Sequence, residues 1–185
     1  MPIKDKFEDP DPEGDLRLVL GSEPTQSILV SSKVLKLSSP VLSAMLSPRY
    51  AEGQSLSKTG VSTLSLPEDD PKAMAWVCHS LHYNHGVASR ITKLSLLGNI
   101  ARLCDKYDMG QALCLWSEEW MRKWISETAK KVPDRRTLWM SYAFSNHRTF
   151  YQVSREMIIS SPKSVTLELG GDDTKGILPI RVRGK

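Results

Sequence analysis

The chain has 185 residues, 40% of them hydrophobic and 25% charged, with a net charge of +4. A globule of this length buries roughly 70% of its unfolded surface, so a core needs no metal or disulfide staple. The three cysteines, Cys78, Cys104 and Cys114, include no CxxC pair, which argues against a disulfide framework, and no stretch approaches the ~20 apolar residues of a membrane span.

The N-terminus is acidic, with Asp5, Glu8, Asp9, Asp11, Glu13 and Asp15 against Lys4 and Lys6. It lacks the apolar region of a secretory signal, so an intracellular, reducing compartment is expected, cytoplasmic or nuclear. Its Pro and Gly content predicts a disordered lead-in over residues 1–13. Leu16, Leu18 and Leu20 then alternate as a strand, and Val19 between them suggests burial on both faces. A turn at residues 21–24 and a second strand through Ile28 and Val30 complete a β-hairpin.

Ser31 and Ser32 are candidate N-caps for a short helix carrying Val34, Leu35 and Leu37. Ser39-Pro40 opens a second helix, with Val41, Leu42, Met45 and Leu46 at helical spacing, and Pro48 closes it. Residues 51–63 are small and polar and read as a loop. Leu64 and Leu66 form a third short strand. Asp70-Pro71 is a strong helix start, followed by Met74, Val77, Cys78 and Leu81 at i, i+3, i+4 and i+7. Capping, not acid–base chemistry or Mg binding, is the better account of Glu68-Asp69-Asp70.

The next helix carries Leu97, Ile100, Ala101 and Cys104. Another, after Gly110, carries Leu113, Trp116, Trp120 and Trp124 along one side. Pro133-Asp134 opens a further helix with Leu138, Trp139 and Tyr142 facing inward. Phe150, Val153, Met157 and Ile158 predict one more. Residues 162–185 read either as a hairpin or as an unpacked tail. The predicted class is α+β, with helices covering one small sheet. Residues 122–185 hold thirteen Lys/Arg against six Asp/Glu, but without a run of five like charges. A solvated helical surface explains them, and nucleic acid is not expected as a partner.

GDLRLVLG (14–21), SSKVLKLSSPVLSAML (31–46), YAEGQ (50–54), LSLPEDDPKAM (64–74) and LCDKYDMGQALCLW (103–116) occur in an order and spacing that resemble the BTB/POZ family, in particular its fungal branch. The resemblance covers residues 14–125, with 126–161 similar to the helical extension of fungal relatives. It implies a small sheet flanked by helical hairpins and a protein-interaction module that is not an enzyme. Homodimerisation through the first strand and helices and recruitment of protein partners are also implied. Some members are substrate adaptors of cullin-based ubiquitin ligases. The hydrophobic-x-Glu pattern of such members is matched by Tyr50-Ala51-Glu52, which makes Tyr50 and Glu52 candidate partner-binding residues. The dimer-groove polar position is represented by Asp15, Ser31 and Ser32. Where the family has His followed by Lys or Arg, this chain has the two serines, a departure from corepressor-binding members.

No cofactor is expected. A third reading, a metal- or thiol-dependent enzyme, would use Cys78, His82 and His85, or Cys104 or Cys114 with His147. Three ligands along one helix do not surround a metal, however, and a helix end with His at the negative dipole terminus accounts for the first set. No GxSxG and no phosphate-binding Gly-rich loop is present.

Overall fold

The computed structural model describes residues 8–56, 60–84, 86, 94–128 and 135–160. Strands β1 (Leu16–Leu20) and β2 (Gln26–Val30) form the expected hairpin, paired antiparallel with Leu18 opposite Ile28. Strand β3 (Ser62–Leu66) lies on the other side of β1 and parallel to it, with Leu18 beside Leu64, so the order is β2-β1-β3. Leu18, Ile28 and Leu64 point into the core and are almost completely shielded from water. Each contributes roughly 1.5–3 kcal/mol by that burial. Val19 is only half-buried, so β1 has one fully buried face instead of the two expected.

Helices α1 (Ser32–Ser38) and α2 (Pro40–Met45) follow the hairpin. Ser31 caps α1 through Val34 N–H, and Ser39 caps α2 through Leu42 N–H at 2.9 Å with Pro40 at the first position. The expected loop over residues 51–63 is corrected at both ends. A short helix α3 (Ala51–Leu56) occupies its start, and β3 begins at Ser62. Helix α3 has no apolar periodicity to betray it. Tertiary packing accounts for it: a Cβ on Gly53 would collide with the backbone of Leu46 and Ser47, and Leu56 rests on the core.

Helix α4 (Pro71–Leu81) starts as predicted, with Asp70 accepting from Ala73 N–H at 2.6 Å. It buries residues on almost every side, including Met74, Val77, Cys78, His79 and Leu81, and it is the central helix of the fold. Helices α5 (Leu94–Tyr107) and α6 (Cys114–Thr128) follow. Leu97, Ile100, Ala101 and Cys104 are buried as expected. Trp120 is buried and stacks on Trp116 with ring centroids 6.2 Å apart, while Trp116 and Trp124 pack at the margin of the core.

Helices α7 (Arg135–Ala143) and α8 (His147–Ser160) continue the same core. The predicted start at Pro133-Asp134 lies outside the described residues. Trp139, Met140, Ala143 and Phe144 join the cluster formed by the sheet and α4–α6. Tyr142, expected inward, is exposed, because these four residues already supply the inward face of the α7 segment. Val153 of α8 is buried, Phe150 and Met157 are half-buried, and Ile158 is exposed. The predicted hairpin or tail at 162–185 lies outside the described residues.

The acidic lead-in departs most from expectation. Residues 9–13, read from composition as disordered, run along β2 together with Gly14. The Asp9 carboxylate accepts from Leu29 N–H at 2.8 Å, and Asp11 N–H donates to Leu29 C=O at 3.1 Å. Pro10 is buried, and its carbonyl accepts from the Asn84 amide at 3.0 Å. Gly14 is packed so closely on Val30 that a Cβ would overlap the Val30 backbone.

Candidate functional site

The polar position anticipated around Asp15 forms where β1 begins and α1 starts. Asp15 immediately precedes β1, and Ser32 is the first residue of α1. The Asp15 carboxylate accepts from Ser32 N–H at 2.7 Å and from the Ser32 hydroxyl at 2.6 Å. Partial burial pushes the Asp15 carboxyl up. The two Ser32 bonds, a bond to Asp15's own backbone and, least, the Lys36 charge together outweigh that effect and hold it below the ordinary carboxylate value. Ser32 thus replaces the expected side chain as a donor, and Lys36, one helical turn later, supplies the positive charge. The sequence reading named no cation here, although the i+4 spacing from Ser32 pointed to Lys36.

Ser31 belongs to a neighbouring network. Its N–H donates to His82 Nε2 at 3.0 Å, and His82 Nδ1 donates to the Cys78 carbonyl at 2.7 Å. A carbonyl cannot donate, so Nδ1 carries the hydrogen and Nε2 is the acceptor for Ser31 N–H. His82 therefore closes the C-terminus of α4 and ties it to the start of α1. Of the Cys78–His82–His85 set, His82 is engaged with backbone groups, and His85 lies outside the described residues. Among the described residues, no group of three or more His, Cys, Asp or Glu is placed to hold a metal ion. Burial pushes the Cys78 thiol up to about 12 and raises Cys104 as well, so both remain protonated thiols. Cys114 and His147 are both exposed.

Tyr50 is 54% exposed just before α3, and its carbonyl accepts from Gln54 N–H at 3.0 Å. Glu52 lies in the first turn of α3, and its side chain falls outside the described residues. Helices α1 and α2 present Leu37, 80% exposed, and Val41, 37% exposed.

A second cluster was missed from sequence. Asp69, 96% buried, accepts from the Lys106 ammonium at 2.6 Å and from the Tyr107 hydroxyl. Burial, together with the Asp69 hydrogen bond and charge, raises the Tyr107 hydroxyl well above its ordinary value, so it remains a donor. The Tyr107 carbonyl in turn accepts from the Ser39 hydroxyl. The cluster pins the DKYD segment to the start of α4 and to the α1–α2 junction. A depression of about 710 Å³ opens beside it, lined by Gly21, Pro24, Gln26, Arg102 and Lys106 among others. Lys106 is bonded to Asp69 and Arg102 to Asn99, so both cations are already engaged within the chain. The arrangement serves packing better than bond-making chemistry.

No protein-family model matches the chain, and no curated protein matches it. No described helix is long and apolar enough to cross a membrane.

Proposed function

We propose that this chain is a protein-interaction module of the BTB/POZ type that self-associates as a homodimer and recruits other proteins, without catalytic groups of its own. The observation that carries this reading is the exposed apolar side chains of Leu37 and Val41 on adjoining short helices. Large side chains left in water on neighbouring elements are a usual mark of a surface that another chain covers. The order of hairpin, short helix pair, returning strand and helical layer supports the same reading. Light scattering at micromolar concentration tests it: the chain has twice its formula mass, and Leu37→Asp halves the observed mass. A monomer across that range removes the dimer from the proposal.

The exposed Tyr50 ring favours a second reading, an adaptor for a cullin-based ubiquitin ligase. An aromatic ring with a wet hydroxyl is well suited to anchor in a partner's pocket. Capture by a cullin N-terminal domain, lost in Tyr50→Ala and in Glu52→Arg, is the expected result. Undiminished capture by both variants removes their assigned roles.

A further inference from the structure

Among the described residues, the outward backbone groups of β3 have no hydrogen-bond partner. Ser62 N–H donates to Asp15 C=O at 3.0 Å, and Gly21 N–H donates to Leu66 C=O at 3.4 Å. In a parallel pair this pattern turns the backbone of Ser62, Leu64 and Leu66 toward β1 and that of Thr63 and Ser65 outward. Among the described residues neither Thr63 nor Ser65 has a backbone partner on the outer side. Both side chains are exposed, while Leu64 between them is buried in the chain's own core.

We propose that the outer edge of β3 pairs antiparallel with β3 of a second copy of this chain, about a two-fold axis at Leu64. This contact is separate from the Leu37–Val41 face and does not depend on the reading above. In this register Thr63 of each copy faces Ser65 of the other, and the two pairs exchange four N–H to C=O bonds. The segment Ser62–Leu66, STLSL, carries no charge, so two copies meet without like-charge repulsion. Natural edge strands are usually blunted by Lys, Pro or a bulge, and none interrupts these five residues. The same register places Val61, 53% exposed, opposite the exposed Pro67 of the other copy, so an apolar contact flanks the ladder at each end. A ladder of this length buries less than the roughly 1,000 Å² expected of a stand-alone interface. It therefore forms a weak contact alone and a firmer one wherever another interface raises the local concentration.

Sedimentation velocity of the full chain, from micromolar to near-millimolar concentration, tests the proposal alongside backbone amide exchange. Thr63→Lys/Ser65→Lys places like charges across the two-fold axis. Thr63→Pro removes an outward N–H that the β1–β3 ladder does not use, a change edge strands tolerate. An association step that both variants weaken by about tenfold or more is expected. The Thr63 and Ser65 amides of the unmodified chain should also slow as concentration rises. Unchanged Leu64 amide protection shows that the variants keep their sheet. Leu37→Asp leaves this step in place, which separates it from the dimer proposed above. The absence of any concentration-dependent step, or a step indifferent to both variants, overturns the proposal. So does an edge that captures an added extended peptide while the chain itself stays unassociated, because its occupant is then another polypeptide.

Discussion

The two edges of the sheet are finished differently. Along β2 the outward N–H and C=O of Leu29 are both satisfied by the chain's own lead-in, through the Asp9 carboxylate and the Asp11 amide. Pro10 and Gly14 press the lead-in against the strand, and the side chains of His79 and Asn84 hold it from the end of α4. Along β3 the outward groups of Thr63 and Ser65 have no such cover among the described residues. A strand edge is a template for further pairing, and the cover over Leu29 shortens the part of β2 open to it, whereas among the described residues neither outward residue of β3 has a backbone partner on that side. Residues 9–14 are therefore a packed flank of the sheet.

The most severe way to break this contrast is at Gly14. Any side chain there meets the Val30 backbone, which has no flexible end to move aside. Gly14→Val is expected to lower stability by about 3 kcal/mol in urea unfolding and to deprotect the Leu29 amide. An unchanged midpoint would show that the lead-in is not seated on β2. Asn84→Ala comes next. It removes one donor shared by the Pro10 carbonyl and His79 Nδ1, leaving two part-buried acceptors unsatisfied. A loss of about 1–2 kcal/mol is expected, with Leu29 exchange accelerated and Leu64 exchange unaffected. Asp9→Ala removes only the acceptor for Leu29 N–H, at a cost of about 1 kcal/mol. It also sharpens the comparison, because β2 then acquires a bare edge like that of β3. New self-association that Thr63→Lys/Ser65→Lys cannot suppress is the expected outcome.

Where a signal was local, the sequence showed the element. Ser39-Pro40 and Asp70-Pro71 each place a cap beside a proline that fits the first helical turn, and both helices begin there. The alternation of Leu16, Leu18 and Leu20 located β1 because its inward face has period two. The features that escaped are those set by distant partners. Helix α3 has no apolar stripe and exists because Gly53 fits against Ser47. Asp69 is joined to Lys106 and Tyr107 across 37 and 38 residues, a link that no spacing rule reveals. Composition likewise marked residues 1–13 as disordered, but it is silent on whether a neighbouring strand needs the polar groups of Asp9 and Asp11. At the candidate site, the Asp15–Ser32 pair was reachable through the family resemblance, whereas Lys36 needed the helix to be in place.

The smallest effect concerns pH and acts through His79. This ring is buried at the end of α4. Its Nδ1 accepts from Asn84, so the ring is neutral and its other nitrogen is the donor to the Glu8 backbone. Burial lowers the His79 pKa below the ordinary 6.5, and the nearby His82 adds to that shift. The hydrogen bond to Glu8 and the Glu8 and Asp9 charges oppose it without reversing it. Above about pH 6.5 His79 is neutral in both the folded and the unfolded chain, and it costs nothing. As pH falls below that value the unfolded chain takes up the proton first, so stability declines until the folded ring is also protonated. A protonated Nδ1 can no longer accept from Asn84. If Asn84 turned its oxygen toward the ring instead, the Pro10 carbonyl would lose its donor. Mild acid should therefore loosen the lead-in and speed Leu29 exchange before Leu64 exchange changes. His79→Gln, which titrates nowhere in this range, should flatten that part of the pH profile. If Leu29 and Leu64 instead lost protection together in the unmodified chain, the β2 edge would have no acid-sensitive clasp of its own, and the contrast with β3 would lie in the backbone bonds alone.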